Sequence, residues 1–229
     1  MTDDLRKKSA GIADVSRKGW EEFTSVWRRV KDSPPTKRFL GAFFSYSAGV
    51  QTVIFLASIF AAKELGFETS EVIQVVLILQ IVAIGGAYLA AAVSKRYGNK
   101  MAIYFLLFIW VFICLVGFFV QGLGSFYGVA AAVGRVLGGI QSMSRSTYAK
   151  LIPTREDVTS YFSFYDILEK IAIVGGTLIF ALLDLITGSM RLSLLSLSFF
   201  FALGMIILWR FELPEQEGED ANRATVLVE

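Results

Sequence analysis

Met101–Gln121 reads MAIYFLLFIWVFICLVGFFVQ, an apolar run without a single charged side chain. A helix rises about 1.5 Å per residue and the hydrocarbon core of a bilayer is roughly 30 Å thick, so such a run spans it once. Five further stretches of similar character flank it: Phe39–Ala62, Val72–Val93, Ser125–Leu151, Tyr161–Ile186 and Leu192–Trp209. The intervals between them leave room only for short turns. Of the 229 residues 55% are hydrophobic, more than a soluble domain of this size carries without aggregating. The predicted fold class is an all-α membrane protein with six transmembrane helices.

The net charge of +2 conceals an uneven distribution. Arg6, Lys7, Lys8, Arg17, Lys18, Arg28, Arg29, Lys31, Lys37 and Arg38 precede the first stretch, and Lys95, Arg96 and Lys100 separate the second from the third. Arg145, Lys150 and Arg155 flank the turn between the fourth and fifth, and Arg210 and Arg223 follow the sixth. All of these fall on one side, whereas the other receives only Lys63 and Arg191. The positive-inside rule then predicts a multi-pass protein of a cytoplasmic or inner membrane with both termini cytoplasmic.

Three regions follow. Residues 1–38 read as a cytoplasmic arm, 39–210 as the transmembrane domain, and 211–229 as an acidic, disordered cytoplasmic tail. In the arm, Ile12, Val15, Gly19, Phe23, Val26, Trp27 and Val30 recur at helical spacing with basic residues on other faces. This predicts either an amphipathic helix at an anionic lipid surface or a solvated linker. Ser33-Pro34-Pro35 ends it.

Lone Cys114 lies mid-span and reads as a small packed apolar residue, with no disulfide framework or cysteine metal site. The absence of histidine removes metalloprotease helices, imidazole bases and haem ligation. No phosphate-binding glycine loop is present. No metal, cofactor or nucleic-acid partner is predicted; the partners are the bilayer and a small solute.

The candidate site residues are those whose burial in lipid is costly. Arg135 sits mid-way along the fourth stretch, where a charge costs about 2.5–3.5 kcal/mol on insertion scales, so it is expected against other spans. Ala130, Gly134 and Gly138, with Gly139 on the same span and Gly175 and Gly176 on the fifth, read as close-packing positions. Asp166 and Lys170 form an i,i+4 pair that can neutralise itself, leaving Glu169 for a neighbouring helix. The prediction is a buried network of Arg135, Arg145, Asp166, Glu169 and Lys170, serving substrate or proton handling, state-dependent latching, or structure alone. Gln51, Thr52, Gln80 and Gln141 are uncharged polar residues at membrane depth that either bond between helices or line a pathway.

The run from Gly134 to Pro153, GRVLGGIQSMSRSTYAKLIP, followed by the Phe/Tyr-rich Tyr161–Tyr165 and then Lys170, resembles a signature of the vacuole-effluxer-like family within the major facilitator superfamily. Tyr46-Ser47-Ala48-Gly49-Val50-Gln51-Thr52 is similar to that family's seventh helix. The resemblance covers roughly Phe39 to Trp209. Such transporters have twelve spans in two six-helix halves, so it implies that this chain is the C-terminal half of a major-facilitator-type bundle. It further implies a secondary transporter of a small solute, with amino acids or related metabolites and efflux favoured, and substrate held between halves that rock about it. The missing half would then be another polypeptide, a truncated segment or a second copy.

Two departures accompany the resemblance. Ala48 stands where an acidic residue is expected before Gly49. In the loop motif Lys95, Arg96, Gly98 and Lys100, Lys95 occupies the usual Asp position, which predicts a charge latch that is absent or inverted. Two rival readings remain. A membrane scaffold or regulatory subunit needs no solute path. An intramembrane hydrolase would need a base for Ser142, Ser144 or Ser146, and the sequence holds no histidine.

Overall fold

The computed structural model describes residues 17, 19–64, 66–120, 122–153 and 158–212. The acidic tail from 213 onward and the first half of the arm lie outside them. Among the described residues every regular element is helical: α1 (19–32), α2 (Pro34–Glu64), α3 (Thr69–Phe118), α4 (Leu123–Ala149), α5 (Val158–Thr187), α6 (Met190–Ser196) and α7 (Ser198–Trp209).

Only Ser33 interrupts the path from α1 into α2. Pro34 and Pro35 occupy the first turn of α2, where a missing N–H costs nothing because helix N-termini leave their donors unpaired anyway. The Ser33 carbonyl accepts from the Lys37 N–H at 3.0 Å, and its hydroxyl meets the Thr36 hydroxyl at 2.8 Å. The helix therefore begins a turn earlier than the apolar run at Phe39.

Helix α3 is 50 residues long, about 75 Å at helical rise and more than twice the hydrocarbon thickness. It does not run straight. Gly98 has φ 82° and ψ 159°, a left-handed conformation that glycine adopts without a Cβ penalty, and the chain reverses there. The limbs before and after Gly98 lie side by side: Ala90 and Leu106 both meet the same position, Gly139, and Leu79 and Gly117 line one apolar cavity. The expected cytoplasmic loop at Ser94–Lys100 is thus helix on either side of a single glycine.

Four helical runs are long and apolar enough to cross a membrane: Pro34–Lys63, Thr69–Phe118, Val158–Thr187 and Met190–Trp209. The difference from the six expected has two causes. The two limbs of α3 form one run, and the glycines, serines and Arg135 of α4 lower its apolar character although its 27 residues are long enough. The last run breaks at Leu197, where the hydroxyls of Ser196 and Ser198 donate back to the carbonyls of Ser193 and Leu195, both at 2.6 Å, drawing these carbonyls away from the helical ladder.

Helix α4 packs along both limbs of α3, and α2 lies between α5 and α7. The seam with α3 is made of missing side chains. A Cβ on Gly138 would lie 1.9 Å from the Ala83 carbonyl oxygen, one on Gly134 2.7 Å from that of Leu79, and one on Gly86 1.8 Å from that of Arg135. Backbone meets backbone there. Toward the α4–α5 turn an aromatic cluster joins α2, α4 and α5: Phe43 stacks on Tyr165 at 4.0 Å, and Tyr148 lies 5.1 Å from Tyr165 and 6.4 Å from Phe39. Phe23 and Trp27 of α1 pack on Phe164 of α5 at 5.0 and 5.9 Å. Outward, Ile81, Ile84, Phe105, Phe108, Leu178, Leu182 and Ile206 are exposed, as lipid-facing side chains are.

Candidate functional site

Three helices each contribute one stripe to a polar cleft. On α2 the stripe is Tyr46, Ser47, Val50 and Gln51; on α4 it is Ile140, Gln141, Ser144 and Arg145; on α5 it is Tyr165, Glu169 and Lys170. Residues three and four apart share a helix face, and two such rows side by side make up each set, so the sequence places each set together and the packing turns the three faces toward one another. The cleft has a volume of about 240 Å³. It adjoins a larger groove of about 460 Å³ between α2, α3 and α4, lined in part by Ser58 and Gln80, and Gln51 and Gln141 border both.

The polar contacts are specific. The Gln51 amide Nε2 donates to Glu169 Oε1 at 2.9 Å. An Arg145 guanidinium N–H donates to Asp166 Oδ1 at 3.3 Å, and the same guanidinium lies 5.4 Å from the Tyr165 ring centroid. Tyr46 and Ser144 meet at 2.6 Å deep in the protein. The Ser144 hydroxyl already donates to the Ile140 carbonyl at 2.6 Å, so its single proton is committed and Tyr46 is the donor to Ser144.

The predicted network is divided rather than continuous, and it is not buried. The Arg145–Asp166 side chains are 50% and 52% exposed. Asp166 pairs across to α4 instead of forming the expected i,i+4 pair with Lys170. A planar guanidinium reaches its carboxylate from the facing helix, whereas Lys170 lines the cleft and makes no ion pair or hydrogen bond among the described residues.

Arg135, expected against other spans, is exposed in this chain and bonds to no other side chain among the described residues. The reason is the glycine seam. The Arg135 backbone itself lies in van der Waals contact with Gly86, which leaves no space between the helices for its long side chain.

Thr52 does not line the cleft. It is fully buried, and a Cβ on Gly176 would lie 2.6 Å from its hydroxyl and 2.5 Å from the Ala48 carbonyl, so it belongs to the α2–α5 contact. Gly139 faces Leu106 and Ala90, and Ala130 is buried. Gly175 departs from the predicted packing set, because nothing lies within 4 Å of its Cβ position.

Lys95 and Arg96 of the loop motif are exposed, and Arg96 lies over the Tyr97 ring at 5.5 Å. The contact to α4 is made instead by buried Asn99, whose Nδ2 donates to the hydroxyls of Ser146 and Thr147, each at 3.2 Å, while its Oδ1 accepts from Ser94. Lys100 donates to the Trp209 carbonyl and Arg38 to that of Arg210, both at 3.1 Å, so two cations cap the C-terminus of α7. Arg191 does the same for α3, donating to the carbonyls of Phe118 at 3.0 Å and Val120 at 2.5 Å. This capping role gives a reason for a lone arginine on the poorly charged side. Sequence reasoning passed over Asn99 and these caps; the signal available was a polar or basic residue immediately beyond a helix end. Among the described residues, no group of three or more His, Cys, Asp or Glu side chains could hold a metal ion.

A bundle of membrane-length helices with outward apolar side chains and a polar cleft defines a polytopic membrane protein. Residues 4–221 match the family described as "Vacuole effluxer Atg22 like", and the chain belongs to that family. It is 29% identical over 196 residues to an uncharacterized MFS-type transporter, YxiO, of Bacillus subtilis, an alignment covering 86% of this chain and 45% of that protein. Autophagy-related protein 22 of Vanderwaltozyma polyspora is 28% identical over 203 residues, covering 83% and 38%. Its counterpart in Saccharomyces cerevisiae is 26% identical over 202 residues, covering 83% and 37%. The chain therefore spans less than half the length of these relatives. The family is one of major-facilitator-type transporters and not of enzymes, which removes the hydrolase alternative.

Proposed function

We propose that this chain is the C-terminal six-helix half of a secondary active transporter that moves a small solute across the membrane by alternating access. The single observation that carries the reading is the cleft. Charged and amide side chains from α2, α4 and α5 line a recess that no other described residue covers, in a chain that spans less than half the length of the relatives it matches. A second six-helix half laid over this face would enclose the recess near mid-membrane. Counting each limb of α3 and α4 as spans gives six, with both termini, Gly98 and the α4–α5 turn on the cytoplasmic side.

The cleft carries Glu169 together with Arg145 and Lys170, a combination that complements a solute bearing both an ammonium and a carboxylate. Amino acids or related metabolites are therefore the proposed solute class, and the family's description as effluxers favours outward movement. Exposed Arg135 and Gln80 are placed to meet the other half. Exchange of labelled amino acids in proteoliposomes, with and without the N-terminal half, tests the proposal. Exchange that requires both halves supports it; a chain that binds a partner and never moves solute is instead a scaffold or regulatory subunit.

A further inference from the structure

The ends of α2, α3 and α7 bring cations together at a place the cleft does not use. Lys100 donates to the Trp209 carbonyl and Arg38 to the Arg210 carbonyl, each at 3.1 Å, so both side chains reach consecutive residues at the end of α7. Arg210 brings a third charge to the same turn. None of the three lines the cleft or its adjoining groove, and none forms an ion pair among the described residues.

Capping does not exhaust these charges. A carbonyl is neutral, and the C-terminus of a helix carries the equivalent of only about half a negative charge. Glu212, exposed just beyond Arg210, adds one more, which leaves the cluster positive. Each bond to a carbonyl also occupies one of several N–H donors on an ammonium or guanidinium. The remaining donors of exposed Arg38, half-buried Lys100 and exposed Arg210 are available to an anion.

The surroundings of the cluster are apolar. Met101 and Phe105 follow Lys100 along α3, Ile206 and Trp209 precede Arg210 on α7, and all four side chains are exposed. They lie on membrane-length helices, which the Tyr104 hydroxyl ties together by donating to the Met205 carbonyl at 2.6 Å. An exposed indole beside a cation suits the boundary between headgroups and acyl chains. A phosphate held by the three cations therefore has its ester chains beside side chains that face the bilayer, which favours a lipid over a phosphate in free solution.

We propose that this cluster binds the phosphate headgroup of an anionic phospholipid, with its acyl chains against Met101, Phe105 and Ile206 and with Trp209 at the level of the glycerol. The site requires only that the chain sits in a bilayer, so it stands or falls apart from the transport reading.

The test uses the full chain carrying Trp20→Phe and Trp27→Phe, which leaves Trp209 as the exposed indole because Trp110 is buried. It is reconstituted in vesicles of equal phosphatidylcholine and phosphatidylglycerol, in which first one lipid and then the other carries bromine on its acyl chains. Bromine quenches an indole that it approaches, so the two quenching levels give the lipid preference at Trp209. One cation near a headgroup corresponds to about fivefold in affinity for an anionic lipid. Phosphatidylglycerol is therefore expected to be favoured by about fivefold or more, and Arg210→Gln to lower that preference about fivefold. The Arg210 side chain takes part in neither capping bond, so this substitution leaves both in place. Lys150→Gln, which removes an exposed cation at the end of α4, is expected to leave the preference unchanged. Equal quenching by the two lipids in the parent overturns the proposal. So does an equal effect of Arg210→Gln and Lys150→Gln, which marks a general surface charge instead of a site. Inorganic phosphate added at constant ionic strength is expected not to restore the fluorescence; if it does, the site takes soluble phosphate and the lipid assignment falls.

Discussion

Replacing Gly138 with alanine tests the seam that sets the rotation of α4 in the bundle. The added Cβ would lie 1.9 Å from the Ala83 carbonyl oxygen and 2.6 Å from its carbonyl carbon, while ordinary contact begins at 3.4 Å. The helices must therefore separate by up to 1.5 Å, the difference between 3.4 and 1.9, and no flexible side chain is available to yield. Overpacking of this kind costs typically 1–3 kcal/mol, and about 2 kcal/mol corresponds to a fall in Tm of roughly 4–8 °C for a chain of this length. Separation also withdraws Gln141 from the border it shares with Gln51. Gly175→Ala is the matched control, since its Cβ meets nothing within 4 Å and alanine gains about 1 kcal/mol of helix propensity over glycine. Thermal unfolding of the purified protein in detergent, followed by circular dichroism, compares the two. Gly138→Ala unfolding at or above the temperature of Gly175→Ala would refute the backbone-to-backbone seam.

Four further outcomes are expected. Asn99→Ala removes the donor to Ser146 and Thr147 and leaves Ser94 unpaired, which predicts a loss of about 1–3 kcal/mol in detergent unfolding, with Lys95→Ala near neutral; equal effects would deny the staple. Asp166→Asn is expected to cost less than about 1 kcal/mol, because the pair it breaks is half-exposed, so an effect several times larger would show that the pair is enclosed in the complete assembly. Arg191→Ala strips the capping donor from the Phe118 and Val120 carbonyls and should accelerate amide exchange at the end of α3 ahead of the rest of the bundle; uniform exchange in the variant would exclude the cap. On a Cys114→Ala background, cysteine at exposed Tyr97 should label only from the cytoplasm and cysteine at exposed Glu68 only from the opposite side; the reverse pattern would invert the topology.

The sequence by itself determined that this chain is a helical membrane protein and which stripe of a helix carries polar groups. These properties are local: a run of apolar side chains and a 3.6-residue period are written along one chain and need no partner to be read. The motif from Gly134 to Pro153 also placed it in its family. Which polar group meets which was decided only by the tertiary structure. Asp166 takes Arg145 rather than Lys170, Gln51 takes Glu169, Thr52 turns into the α5 contact, and Arg135 is turned out of the bundle. Sequence fixes a residue's depth and its angle about its own helix axis, but not how that helix is rotated against its neighbours. Here that rotation is fixed where Gly86, Gly134 and Gly138 let α3 and α4 touch through their backbones, and a glycine's lack of a side chain does not say which carbonyl will fill the space.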